Sequence, residues 1–196
     1  MGQQEIENAI ENAIERVLNG QIDDYSLIVK QYQKQLLKYV RYLTNGKCDV
    51  EDIVQEVFIR IYQNLSKYQL GTSFSNWAYR ITFNHTMNML KKQNRHKILL
   101  FGKIPEYAQS LNSSSEISHE VKEALSKLSI EERNLIYLRV YEDLSYRKIS
   151  QIQNVSESAL RKKYERARKK FIKAYIKEDS DYENRSNENT DIRLCK

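Results

Sequence analysis

From Gln3 onward the apolar positions fall in helical steps. Ile6, Ile10, Ile14 and Leu18 recur every four residues, which places them on one face of a helix over 3–18. The same period returns over 22–44, through Leu27, Ile28, Tyr32, Leu36, Leu37, Val40 and Leu43. It returns again over 50–64, through Ile53, Val54, Val57, Phe58 and Ile61, and a fourth helix is predicted over 74–92. The stretch TNGKCDVED turns the chain after the second helix, and SKYQLGTS forms a loop before the fourth. Periodicity lapses over 96–117 and resumes over 118–141, with Val121, Leu125, Leu128, Leu135, Ile136 and Val140. Two more helices are predicted over 145–152 and 156–177.

No stretch alternates strictly between apolar and polar, so the pattern predicts no sheet. All five glycines except Gly2, and the single proline, fall between periodic segments. The expected fold is all-α, with two small helical domains over 1–95 and 118–177. A flexible linker over 96–117 joins them, and a polar, net acidic tail over 178–196 is expected to be disordered.

Composition narrows the function classes. The chain has 196 residues and a formal net charge of +6, which suits an anionic partner without requiring one. Its two cysteines, Cys48 and Cys195, are far apart and fit no disulfide framework or zinc spacing, so a reducing cytoplasm is expected. The amphipathic N-terminus lacks the features of a signal peptide, and no apolar run approaches the ~18 residues of a membrane span. The histidines His85, His96 and His119 form no catalytic or metal spacing with the cysteines or acids. Neither an enzyme nor a metal or organic cofactor is expected.

The C-terminal half carries the first functional signal. In LSYRKISQIQNVSESALRKKYERARKKF, Ser145 can cap one helix and Ser156 the next, with Asn154 in a turn that can demand a left-handed backbone. Leu160, Tyr164, Ala167 and Phe171 share one stripe of the second helix, and basic residues fill most of the rest. This is a helix-turn-helix pattern. A major groove admits one such helix, whose N-terminal residues reach base edges while later lysines and arginines suit phosphates. The DNA candidates are Ser156, Glu157, Ser158, Arg161, Lys162, Glu165, Arg166, Arg168 and Lys169.

This half resembles region 4 of the sigma-70-like factors of bacterial RNA polymerase. Ser145, Ile149, Ser156, Arg166, Ala167 and Arg168 match the family pattern, while Lys148, Asn154, Ala159 and Lys163 depart from its usual Glu, Gly, Thr and Arg. The resemblance extends to DVEDIVQEVF, which is similar to region 2.2 at Asp49, Glu51, Asp52, Val54, Gln55, Glu56 and Phe58. On helical spacing alone, Asp52, Gln55 and Glu56 lie outward, with Asp49 and Glu51 at the helix start where the dipole favours acids. The resemblance implies that Asp49, Glu51, Asp52, Gln55 and Glu56 dock on the polymerase β′ coiled coil.

FSNWAYRITFNHTMNMLKKQNR resembles regions 2.3 and 2.4 at Phe74, Trp77, Tyr79, Ile81 and Asn84. Aromatic and basic residues side by side are what a melted DNA strand needs. The resemblance implies a pocket for a flipped base of the −10 element at Tyr68, Gly71, Thr72, Ser73, Phe74 and Asn84. Lys91, Lys92 and Arg95 are expected at phosphates, while Trp77 is expected in the core.

The resemblance covers about 24–95 and 120–175. Its abbreviated form points to the extracytoplasmic-function (ECF) group or an allied small alternative sigma factor. It implies core RNA polymerase (through the β′ coiled coil and the β flap) and promoter DNA as partners, with an anti-sigma factor common in the family. The −35 element would be read by the last long helix. The competing reading is a stand-alone helix-turn-helix repressor or activator, which leaves DVEDIVQEVF and the aromatic–basic helix unexplained.

Overall fold

A computed structural model describes residues 3–101 and 118–185. Most of the predicted linker therefore lies outside the described residues. Eight helices are described: α1 Gln3–Leu18, α2 Tyr25–Thr44, α3 Val50–Gln63, α4 Phe74–Phe101, α5 His119–Ser126, α6 Ile130–Ile136, α7 Tyr146–Gln153 and α8 Glu157–Arg185. Short 3₁₀ turns precede α2 and follow α3, and one wider π turn, Tyr137–Tyr141, extends α6. Among the described residues there is no strand, and no helix is long and apolar enough to cross a membrane.

Local chemistry sets the boundaries. Asn45 ends α2 with a left-handed φ of 53°, which asparagine tolerates better than most residues. Asp49 then caps α3, its side chain accepting from the Asp52 N–H at 3.1 Å. Ser118, Ser129 and Ser145 cap α5, α6 and α7 in the same way. At α6 the exchange is reciprocal, because Glu132 reaches back to the Ser129 N–H at 2.8 Å. Asn154, with φ 53°, makes the turn between α7 and α8, and Ser156 accepts from the Ala159 N–H at 3.4 Å.

Two predicted boundaries move. The fourth helix was expected to stop near 92 and runs to Phe101, because no glycine or proline interrupts it before Gly102. The last helix was expected to end near 177 and α8 runs to Arg185, with no glycine or proline to stop it; the rest of the predicted tail, 186–196, lies outside the described residues.

In the N-terminal domain, α1 inserts Ile10, Ala13, Ile14 and Val17 against α2 and α4. Helices α2, α3 and α4 close around Ile28, Leu36, Val40, Leu43, Ile53, Val57 and Ile61. In the C-terminal domain, α8 lies across α5, α6 and α7 on Leu160 and Ala167, both fully buried.

The two cores are continuous. Tyr39 of α2, fully buried, donates its hydroxyl to Asn134 Oδ1 of α6 at 2.7 Å. Its ring meets Tyr79 of α4 at 4.7 Å and Tyr137 at 4.9 Å, and Tyr42 meets Tyr137 at 5.2 Å. Around this tyrosine cluster, Gln35 donates to Glu142 at 2.9 Å and Asn45 donates to the Lys122 carbonyl at 2.9 Å. Burial, and after it the Glu142 carboxylate, pushes the Tyr79 and Tyr137 hydroxyls far above their ordinary range, so the cluster stays uncharged.

Candidate nucleic-acid interface

Helix α3 separates its two faces cleanly. Val50, Ile53, Val54, Val57, Phe58 and Ile61 are buried, while Glu51, Asp52, Gln55 and Glu56 are exposed, as is the cap Asp49. Glu51 lies 3.6 Å from the Arg41 guanidinium, which partly offsets its charge, while the neighbour of Glu56 at 3.1 Å is the buried His85 imidazole, whose lowered pKa leaves the carboxylate without a counter-charge. Asp52, Gln55, Glu56 and Ile59 follow i, i+3, i+4, i+7 spacing and form one outward stripe. Ile59 was missed in the sequence reading. It is 56% exposed, an apolar side chain at the end of an acidic row, and its signal was its place three residues after Glu56.

The face of α4 opposite Tyr79 lines an open groove of about 280 Å³, with Trp77, Ile81, Asn84, His85 and Asn88 on one wall. Arg60, Asn64 and Lys67, from the end of α3 and the turn after it, form the other. The groove is therefore polar, cationic and aromatic at once, the combination that holds unpaired nucleotides. Asn84 and Asn88 are exposed, while Trp77 and Ile81 are half-buried. Arg60, Asn64 and Lys67 were not singled out from the sequence, because they lie on α3 and the turn after it and face α4 only in the folded chain.

His85 is buried in the groove wall at 8% exposure. Its Nε2 is close to Glu56 but not aligned for a hydrogen bond. Burial lowers its pKa below the ordinary histidine value; Arg60 adds to this and Glu56 opposes it.

The loop before α4 is only partly presented. Gly71, Thr72 and Ser73 are exposed, whereas Tyr68 and Phe74 are 7% and 5% exposed. The Tyr68 ring packs on Phe74 at 5.3 Å and Trp77 at 5.4 Å, and its hydroxyl donates to the Thr72 carbonyl. Both aromatic side chains therefore support the loop from beneath, and neither offers a free ring face. Lys91, Lys92 and Arg95 are exposed on the next turns of α4.

Ser156, just before α8, and Ser158, Arg161, Lys162, Glu165, Arg166, Arg168 and Lys169 on it are exposed, and Glu157 is partly so. Arg161 is not a free tether: its guanidinium sits 4.7 Å over the Tyr146 ring, and Glu157 is 3.9 Å away. Arg139 approaches the same ring at 5.6 Å, and Tyr164 meets its edge at 6.1 Å. Lys170 is tied to Glu132 of α6 at 3.0 Å, which fixes the middle of α8 to its own domain.

The chain is similar to known proteins along both halves. Residues 28–96 match the model of Sigma-70 region 2, and 118–171 match that of Sigma-70 region 4. The chain is 31% identical over 170 residues to the ECF RNA polymerase sigma-E factor of Escherichia coli K12, covering 79% of this chain and 88% of the relative. It is 26% identical over 185 residues to the ECF RNA polymerase sigma factor SigW of Bacillus subtilis, covering 86% and 97%. Among solved structures, it is similar to CnrH in complex with the cytosolic domain of CnrY, with a TM-score of 0.62 and 20% identity over 84% of this chain and 95% of that one. It is also similar to the sigma factor RpoE in complex with the anti-sigma factor NepR from Bartonella quintana, with a TM-score of 0.60 and 20% identity over 74% and 94%.

Proposed function

Since this chain belongs to the sigma-70 family, in its ECF group, we propose that its surfaces divide the work of promoter-specific initiation among named residues. As an alternative sigma factor it binds core RNA polymerase and directs it to promoters; RNA synthesis is the polymerase's chemistry. The region 2 match accounts for the segments that a stand-alone helix-turn-helix regulator leaves unexplained.

The α3 stripe of Asp52, Gln55, Glu56 and Ile59 docks on core polymerase, with Asp49 and Glu51 at its start. The polar row supplies orientation and Ile59 an apolar contact. The groove between α3 and α4 takes an unpaired base of the −10 strand beside Asn84, with Thr72 and Ser73 at its lip. Lys91, Lys92 and Arg95 follow the phosphates. The first turns of α8 read the −35 duplex through Glu157, Ser158, Arg161, Lys162 and Glu165, while Arg166, Arg168 and Lys169 meet its backbone. Such a protein works in the cytoplasm, and the likeness to a sigma factor held by an anti-sigma factor makes a partner of that kind part of the proposal.

One observation carries this reading. The acidic stripe, the aromatic–cationic groove and the basic helix all face solvent on one chain, and the contact between the two domains covers none of them. The docked arrangement nevertheless lacks reach. Elements named −35 and −10 lie roughly 80 Å apart along B-DNA at 3.4 Å per base pair. A compact chain of this length has a radius of gyration of only about 16 Å. The two domains therefore separate at the tyrosine cluster when both elements are read.

Separable variants test the division. Asp52→Lys with Gln55→Ala abolishes binding to core polymerase, while the chain still contacts −35 duplex. Arg161→Ala with Lys162→Ala weakens promoter recognition and leaves core binding intact. Unchanged core affinity in the first variant removes the docking assignment, and lost core affinity in the second counts against the whole division.

A further inference from the structure

Helix α1 lies outside the region 2 match, yet one of its side chains reaches the candidate −10 loop. Glu11 Oε1 accepts the Gly71 N–H at 2.8 Å and stands 3.5 Å from the Tyr68 hydroxyl. Tyr68 in turn donates to the Thr72 carbonyl, and Thr72 Oγ1 donates to the Gln69 carbonyl at 2.6 Å. Gly71 holds a φ of +78°, a conformation that leaves its amide free to turn toward α1. The helix bearing Glu11 is itself anchored, because Ile10, Ala13 and Ile14 on either side of it are buried in the domain core.

We propose that Glu11 is a positioning residue for −10 recognition, fixing the 69–73 loop through the Gly71 amide. The proposal rests on the initiation-factor reading given above. An exposed loop of five residues has many conformations, and a base pocket needs one. A charged acceptor on a backbone N–H is among the stronger single hydrogen bonds available, and this one spans 60 residues of sequence. The bond has a second consequence. With its N–H committed to Glu11, Gly71 has no donor left for the strand, so base contacts at the lip fall to Thr72 and Ser73. A carboxylate near a strand-binding loop repels phosphates; its engagement with the amide is what makes it useful there.

The test uses core polymerase reconstituted with the full chain and a dye-labelled single-stranded −10 oligonucleotide. E11A lowers affinity for this strand about tenfold, with affinity for core polymerase and for a −35 duplex unchanged. E11Q, which keeps an oxygen acceptor, restores most of the loss. The proposal is overturned if E11A binds the strand like the wild type, if it loses the −35 duplex equally, or if E11Q does no better than E11A. Amide exchange of Gly71 in the free wild-type chain gives a second readout that needs no variant to fold. Slowed exchange at this exposed glycine supports the bond, and exchange at the random-coil rate refutes it. If the wild-type holoenzyme shows no affinity for the strand, the initiation-factor reading fails and the positioning role with it, while Gly71 exchange still decides whether Glu11 holds the loop.

Discussion

Tyr39→Phe probes the contact between the two domains with the loss of one atom. The hydroxyl it removes is fully buried and donates to Asn134 Oδ1 across the interface at 2.7 Å. Asn134 is itself fully buried, and its Nδ2 has no aligned partner, so the substitution leaves its amide with neither bond made. Orphaning a buried polar group costs about 1–3 kcal/mol, which is roughly a 5- to 150-fold change in an equilibrium constant. The ring stays, so its contacts with Tyr79 and Tyr137 survive and the loss is chiefly polar. Asn134→Leu alone strands the Tyr39 hydroxyl and costs a similar amount. The double variant, with an apolar pair in the same space, costs less than the two singles together, by about 1 kcal/mol or more. Energy transfer between dyes at exposed positions 63 and 173, in a chain with Cys48→Ser and Cys195→Ser, reads the ratio of docked to separated chains. Tyr39→Phe lowers that ratio by the factor above. A ratio unmoved by Tyr39→Phe, or strictly additive single effects, refutes this account of the interface.

Three further outcomes follow from the geometry. Tyr146→Leu removes the ring beneath Arg161 and weakens −35 duplex binding about 2- to 30-fold, on ~0.5–2 kcal/mol for a cation–π contact; Tyr146→Phe retains affinity, and equal losses in both variants contradict the role of the ring face. His85, whose folded pKa lies below its unfolded value because it is buried, contributes stability that is complete above the ordinary histidine pKa of about 6.5 and is lost as pH falls through the lowered folded value. Urea unfolding between pH 7 and pH 5 therefore shows a decline that is smaller in His85→Gln, and an identical decline in both chains contradicts it. Ile59→Ala lowers affinity for core polymerase about three- to tenfold without changing the urea midpoint, since the side chain is largely exposed in the free protein; titration of labelled core polymerase checks this, and unchanged affinity removes Ile59 from the docking surface.

Much of the fold was legible because each helix carries its own punctuation. Asp49, Ser145 and Ser156 were readable as caps and Asn154 as a left-handed turn, since each acts on backbone within three or four residues of itself. The acidic stripe was legible for the same reason, as one face of one helix. The interface between the domains was not. Tyr39, Tyr42 and Tyr137 occupy core-type positions in their own helices, and spacing does not reveal that they pack on one another across the linker. Tyr68 shows the opposite limit. The family resemblance implied a base contact there, while in the structure its ring is wedged against Phe74 and Trp77 and its hydroxyl is bonded within the loop. The Glu11–Gly71 bond joins two segments whose local patterns carry no trace of each other.

Run-off transcription shows whether this chain carries core polymerase to promoters. Purified bacterial core polymerase is supplied with a pool of genomic promoter fragments, with and without this protein. The account predicts discrete new transcripts that require both components, with shared sequences upstream at −35 and −10. No new transcript, together with a nanomolar shift of duplex DNA by the protein alone, would contradict it and point to a regulator that acts without carrying polymerase to its promoters.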